Sequence, residues 1–177
     1  MKNILLLILL IPMSSHAQKF ISDQSNVRFY SSAPIEDIEA INEKAKSVID
    51  LGNGQVVFSV DIEGFEFKKD LMKEHFNENY LESEKYPKST FKGGIEDWNN
   101  VKGKQEVTVK GDLMIHGITK KATLKGSIDV LENQVKVESV FIVKLVDYKI
   151  KIPKAVFYNI AEEIEVTVKF DYKPYGK

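Results

Sequence analysis

The residues best suited to acid–base or metal chemistry in this 177-residue chain are its histidines and the carboxylates beside them. Glu74, His75 and Glu78 fall within one turn of a predicted helix, where a carboxylate–imidazole pair could face a metal ion. A zinc site needs three or four protein ligands, and no His-Glu-x-x-His spacing supplies the others. The pattern therefore favours a solvated face for the two glutamates, with His75 making a hydrogen bond.

A second histidine, His116, stands immediately before Gly117 and between two segments that alternate apolar and polar residues. A polar residue in such a tight turn typically hydrogen-bonds the neighbouring backbone. The alternative is a contact with the polar group of a bound ligand. The turn position favours the structural role.

Other catalytic classes lack their signatures. The chain has no cysteine, which excludes a thiol nucleophile, a disulfide and a cysteine-ligated metal. It has no Gly-x-Ser-x-Gly elbow, and Gly52-Asn53-Gly54 precedes a predicted strand rather than the helix N-terminus that binds phosphate. With 25 basic and 26 acidic residues, the electrostatic attraction to nucleic acid is weak. The sequence predicts a non-enzyme without metal, cofactor or nucleic-acid partner.

Residues 1–17 have the pattern of a cleavable export signal. Lys2 precedes an apolar run over residues 4–11, and the small residues Ser15 and Ala17 precede Gln18 at the spacing of a cleavage site. The alternative is an uncleaved membrane anchor, but the run is well short of the roughly 20 apolar residues that span a bilayer. We therefore expect a mature domain over residues 18–177, without a transmembrane segment, in the periplasm or outside the cell.

Alternation with a period of two dominates the rest of the chain and predicts strands with one buried face. Such strands are expected to be antiparallel, because parallel strands buried on both faces read as continuous apolar runs. Turn residues at hairpin spacing then predict a meander. The alternating apolar residues are Val56, Phe58, Val60 and Ile62; Val107, Val109, Leu113 and Ile115; Ala122, Leu124, Ile128 and Val130; Val135, Val137, Phe141, Val143 and Leu145; and Ile164, Val166, Val168, Phe170 and Tyr172.

Residues 70–80 form the one segment that reads firmly as a helix, with Asp70 as its N-cap. Residues 34–51 are less clear: the first half has near-helical spacing, whereas alternation from Ala45 to Leu51 predicts a strand. Long strands with one solvent-exposed face, together with a single short helix, predict a β-barrel or a β-sandwich. The apolar face predicted for the helix comprises Leu71, Met72, His75, Phe76 and Asn79.

Two blocks of sequence resemble the YceI-like family. The first runs from Phe65-Glu66-Phe67 through the predicted helix to Tyr86-Pro87 and Thr90-Phe91, and the second is Gly111-Asp-Leu113-Met-Ile115-His116-Gly117-Ile118-Thr119-Lys120. The resemblance covers residues 27–172. It departs from the family at Lys144-Leu-Val-Asp147-Tyr148-Lys149, where members often carry Arg-x-Asp-Phe/Tyr-Gly.

The resemblance implies an all-β fold, a lipocalin-like antiparallel β-barrel of about eight strands with one short helix capping an end. In some members the barrel encloses an isoprenoid chain, such as a quinone tail or a polyprenyl lipid. We therefore expect an exported protein that binds an amphiphilic isoprenoid lipid. The alternative is an envelope protein with a filled barrel and no small ligand. The sequence leaves open whether the chain forms a homodimer.

Contacts with such a ligand are expected from inward-facing apolar residues, because flexible methionine and planar phenylalanine side chains suit a hydrocarbon chain. The candidate ligand-binding residues are Phe58, Val60, Leu71, Met72, Phe76, Val107, Val109, Leu113, Phe141, Val143, Val166 and Val168.

Overall fold

The computed structural model describes residues 19–32, 37–152 and 161–176, and ten strands account for most of these residues. The predicted export signal lies outside the described residues. The strands are β1 (Lys19–Ser31), β2 (Ile38–Asn42), β3 (Lys46–Asp50), β4 (Gln55–Asp61), β5 (Glu66–Phe67), β6 (Lys88–Ile95), β7 (Gly103–Ile115), β8 (Ile118–Val130), β9 (Val135–Lys144) and β10 (Glu163–Pro174). The helical segments are α1 (Asp70–His75), a π-helical turn (Phe76–Tyr80) and two 3₁₀ turns (Ile62–Gly64 and Leu145–Tyr148).

The strands close into an antiparallel barrel with eight positions in its wall. The order is β10-β9-β8-β7-β6-β4-β3-β1, and β1 closes the barrel by pairing with β10. β2 pairs with the second half of β1, and the short β5 pairs with β2. The predicted all-β barrel is confirmed, and β6 to β10 form the predicted meander.

The turn between β7 and β8 consists of His116 and Gly117, as the sequence predicted. Both residues have positive φ, 50° and 69°, which is the geometry of a type I′ turn. The twist of this turn matches the twist of the flanking strands, and β7 and β8 remain paired from Ile115–Ile118 to Gly103–Val130.

The segment that the sequence left open contains two strands. Its near-helical first half forms β2, in which Ala40 and Asn42 are buried. Pairing with β1 on one side and β5 on the other favours the extended conformation over the helical spacing. The predicted strand in the second half is confirmed as β3, in which Ser47 and Ile49 point into the barrel.

The predicted helix differs from the observed one at both ends. Asp70 is not the N-cap: the cap is Lys69, whose extended backbone places its carbonyl to accept from the amides of Met72 and Lys73. The Asp70 carboxylate belongs to the first turn, where a negative charge complements the helix dipole. The α-helical part ends at His75, and the π-helical turn carries the chain to Tyr80.

The two ends of the barrel differ in packing. We call the end where β1, β4, β7 and β9 finish the mouth end; α1 lies in the connection between β5 and β6 at this end. At the opposite, packed end, Trp98 donates from Nε1 to the Leu51 carbonyl at 2.8 Å and lies against Gly54. Large buried side chains fill this end, including Phe20, Ile49, Ile128, Val135, Phe170 and Tyr172.

Candidate functional site

The mouth half of the barrel contains a cavity of about 280 Å³, which we call the outer cavity. A single water molecule needs roughly 10–15 Å³ measured in this way, so the space is far larger than a packing defect. Twenty-three described residues line it, and four of them carry a polar side-chain group: Ser31, His75, Tyr80 and Ser89. The cavity therefore suits hydrocarbon rather than a charged or strongly polar ligand.

One wall of the outer cavity is a cluster of four phenylalanines. The ring of Phe76, from the π-helical turn, stacks on Phe29 of β1 with the centroids 5.2 Å apart and the planes at 19°. Phe65 and Phe67 place their centroids 5.6 Å and 5.1 Å from Phe76. These contacts attach the helical connection to the barrel wall, because pairs of this kind contribute about 0.5–1.5 kcal/mol beyond the area they bury.

The four polar lining groups all come from elements at the mouth end. Ser31 ends β1 and accepts a hydrogen bond from the Ala161 amide at 2.9 Å, whereas Ser89 lies at the start of β6. His75 and Tyr80 lie on the helical connection, and burial raises the pKa of the Tyr80 phenol above its ordinary value. A ligand with one polar end would therefore find its hydrogen-bonding partners at this end of the cavity.

A second, smaller cavity of about 60 Å³ lies deeper in the barrel, and we call it the inner cavity. Phe58 lines both cavities. The inner cavity is otherwise bounded by residues from the middle and packed end of the barrel, among them Ile49, Val56, Phe91, Leu124, Ile128, Phe170 and Tyr172.

The structure divides the twelve candidate residues into three groups. Leu71 reaches neither cavity; it is 61% exposed because the inward face of α1 is narrower than the predicted one. Three valines line the inner cavity: Val107, Val109 and Val168. Eight residues line the outer cavity: Phe58, Val60, Met72, Phe76, Leu113, Phe141, Val143 and Val166.

Three further phenylalanines of the outer cavity, Phe29, Phe65 and Phe67, were not among the candidates. The signal that could have identified Phe65 and Phe67 is their i, i+2 spacing directly before the helix. Phe29 follows Val27 at the same spacing in β1, but polar residues surround that pair and obscure the alternation.

His116 has the structural role that its turn position predicted, but with different partners. Its Nδ1 lies 3.0 Å from the Tyr148 carbonyl oxygen and its Nε2 lies 2.6 Å from a Glu82 carboxylate oxygen. The predicted bond to neighbouring backbone is therefore wrong, since both partners are more than thirty residues away in sequence. The ring ties the β7–β8 turn to two other segments of the mouth end and does not line the outer cavity.

Within residues 19–32, 37–152 and 161–176, no group of three or more histidine or acidic residues is placed to hold a metal ion. No helix in this same part of the chain has the length and apolar composition needed to cross a bilayer.

An antiparallel barrel with an apolar internal cavity defines a lipocalin-like class of protein. Residues 19–172 match the family model of the YceI-like domain, and the chain belongs to this family. A search of curated proteins finds no significant match.

Solved structures with the same fold include a polyisoprenoid-binding domain from Saccharophagus degradans implicated in plant cell wall breakdown. It is 15% identical with a TM-score of 0.75, over 89% of this chain and 99% of that one. BcnA of Burkholderia cenocepacia is 17% identical with a TM-score of 0.71, over 83% and 95% of the two chains. The YceI protein of Campylobacter jejuni is 15% identical with a TM-score of 0.64, over 79% and 86%.

Proposed function

We propose that this chain is an exported binding protein that holds an amphiphilic isoprenoid lipid, of the quinone or polyprenyl type, in the outer cavity. The observation that carries the proposal is the cavity of about 280 Å³ with nineteen apolar residues among its twenty-three lining residues. The lipid chain lies among the apolar residues, and its polar end lies near His75, Tyr80, Ser31 or Ser89.

Hydrocarbon burial supplies the affinity in this arrangement. Each buried methylene contributes about 0.8 kcal/mol, so a chain of a few isoprene units binds strongly with few polar contacts. Met72 adds a flexible side chain at the mouth end that can adapt to a branched ligand. The binding energy depends mainly on the shape and length of the chain.

Two further observations support the proposal. The Saccharophagus degradans domain, which shares the fold, is described as binding polyisoprenoid. The residue pattern of segment 1–17 supports export to the periplasm or the cell exterior, and membrane lipids are the proposed source of the ligand. The role is binding rather than catalysis, and no cofactor takes part besides the lipid.

The experiment is organic extraction of protein purified from the exported fraction of its native host, followed by mass spectrometry. We expect an isoprenoid lipid in near-stoichiometric amount. The matched control is Val166→Trp, which places an indole in the outer cavity and should carry little lipid. A wild-type protein with no extractable lipid, and no affinity for added isoprenoid alcohols, would contradict the proposal and leave an envelope barrel that acts through its surface.

A further inference from the structure

The outer and inner cavities follow one another along the axis of the barrel. On each of several strands, inward residues near the mouth end line the outer cavity, and residues further along the same face line the inner one. The transitions are from Val60 to Val56 on β4, from Leu113 to Val109 on β7, from Phe141 to Val137 on β9, and from Val166 to Val168 on β10. The two spaces are therefore neighbours along the barrel.

Phe58 lies at the boundary between the two cavities. Within the part of the chain that the structure describes, it is the one residue that lines both cavities. Its ring stacks on Phe91 with the centroids 5.3 Å apart and the planes at 17°, and its centroid lies 6.3 Å from that of Phe170.

Phe91, the direct partner of Phe58 on the neighbouring strand β6, is closely surrounded. It is 1% exposed, and its ring lies over Gly93 and Gly111, which are paired across β6 and β7. A Cβ atom at either glycine would come within 2.7 Å or 2.8 Å of the ring. Phe91 is therefore closely confined by the sheet and by Phe58, whereas Phe58 borders both cavities.

We propose that Phe58 sets the length of the hydrocarbon chain that the barrel accepts. The inference rests on the proposed lipid-binding function and adds its length selectivity. In the wild-type protein the end of the chain stops at the Phe58 ring. When this ring is removed, the inner cavity becomes continuous with the outer one, and a longer chain gains buried surface there.

The test measures dissociation constants for isoprenoid alcohols that differ by one isoprene unit, from geraniol through farnesol and geranylgeraniol to longer members. In the wild type, affinity should rise with each unit up to a threshold length and then stop rising. In Phe58→Ala, the first unit beyond that threshold should raise affinity by at least about tenfold, because each buried methylene is worth roughly fourfold. Phe58→Leu should shift the threshold length in the same direction to a smaller extent. This variant replaces Phe58→Ala in the test if the alanine variant is too unstable.

Two variants control for a general enlargement of the cavity. Phe141→Ala widens only the outer cavity, so affinities should change by a similar factor at every length and the threshold should stay in place. The double variant Phe58→Ala/Val109→Phe refills the inner cavity and should restore the wild-type threshold.

The outcomes separate this inference from the proposed function. A wild type that binds no isoprenoid alcohol of any length overturns the proposed function. A wild type that binds them, with an identical threshold in Phe58→Ala and Phe58→Leu, overturns the role of Phe58 alone. An equal shift in Phe141→Ala also overturns it, because the length limit would then reflect cavity volume and not the dividing ring.

Discussion

At the scale of single residues, the His116 side chain connects several segments at the mouth end of the barrel. The residue occupies a turn position with φ of 50°, and its two ring nitrogens contact the Tyr148 carbonyl and the Glu82 carboxylate. Its ring also packs edge-on against Tyr86, with centroids 4.6 Å apart. We predict that His116→Ala lowers the free energy of unfolding by about 1–3 kcal/mol, because two hydrogen-bond acceptors lose their partner.

His116→Asn separates the backbone from the side-chain contribution. Asparagine tolerates positive φ and favours Asn-Gly turns, so this variant should lose the ring contacts but keep the turn. Denaturant titration should place it between the wild type and His116→Ala. Both variants should retain extractable lipid, since His116 does not line the outer cavity; loss of lipid at unchanged stability would show that His116 contacts the ligand.

Tyr172 gives a prediction about alkaline pH. Burial raises the pKa of its phenol above the ordinary value of 10.0, and its hydroxyl forms a hydrogen bond with the Ser47 hydroxyl at 2.7 Å. Because the folded state holds this proton more tightly than the unfolded state, the resulting stability is complete below pH 10 and is lost as pH rises toward the raised pKa. The loss should approach about 1.4 kcal/mol per pH unit.

Tyr172→Phe is the matched variant, because it keeps the ring and removes the titrating group. Near neutral pH it should be less stable than the wild type by about 0.5–1.5 kcal/mol, the value of one hydrogen bond. Above pH 10 this difference should shrink and then reverse. Other tyrosines titrate in both proteins and cancel in the comparison; a difference that stays constant with pH would contradict the prediction.

The alternation of residues predicted which side chains face the interior, but not how deep each one lies. Val107, Val109 and Val166 have the same inward pattern in sequence, yet the first two line the inner cavity and the third lines the outer one. Depth depends on the stagger between strands, which hydrogen-bond register fixes and a single strand's sequence does not contain. The hydrogen-bond partners of His116 could not be predicted for the same reason, because Glu82 and Tyr148 come close to it only in the folded barrel.

At the scale of elements, the helical connection was predicted in position but not in detail. Spacing identified Met72 and Phe76 as an i, i+4 pair on the inward face, and both line the outer cavity. It also included Leu71, which is exposed. The change to a π-helical turn at Phe76 follows from tertiary contacts, because that turn places the Phe76 ring within the phenylalanine cluster.

This packing predicts opposite effects for two nearby substitutions. Phe76→Asp removes the stacked ring and places a carboxylate among three phenylalanines, which should cost about 3–5 kcal/mol or expel the ligand. Glu78→Lys changes an exposed side chain and should alter stability by less than about 0.5 kcal/mol. Phe76→Leu, which stays apolar, should lie between them.

The measurements are thermal unfolding and extractable lipid for all three variants. Equal tolerance of Phe76→Asp and Glu78→Lys would mean that the helical connection does not pack against the barrel as described.

At the scale of the whole molecule, the barrel combines a filled half with a hollow half. Ile49, Ile128 and Tyr172 are almost completely buried at the packed end, where close packing supplies much of the stability. The mouth half has unfilled apolar space, which lowers stability but makes room for a ligand. Composition could not distinguish these halves, because valine, isoleucine and phenylalanine line both of them.

The division of the barrel predicts opposite results for the same substitution in its two halves. Val109→Trp forces an indole into a space of about 60 Å³, so it should lower the stability of the lipid-free protein by about 1–3 kcal/mol or more. Val166→Trp places the indole in the larger cavity of about 280 Å³, where existing space accommodates it. The lipid-free Val166→Trp protein should therefore unfold close to the wild-type temperature, and the same variant should carry little lipid when it is purified.

Differential scanning calorimetry of delipidated protein, with lipid content measured before extraction, tests both halves together. A large loss of stability in both variants would show that the mouth half is also closely packed, whereas full tolerance of Val109→Trp would show that the hollow space extends through the barrel even with Phe58 in place.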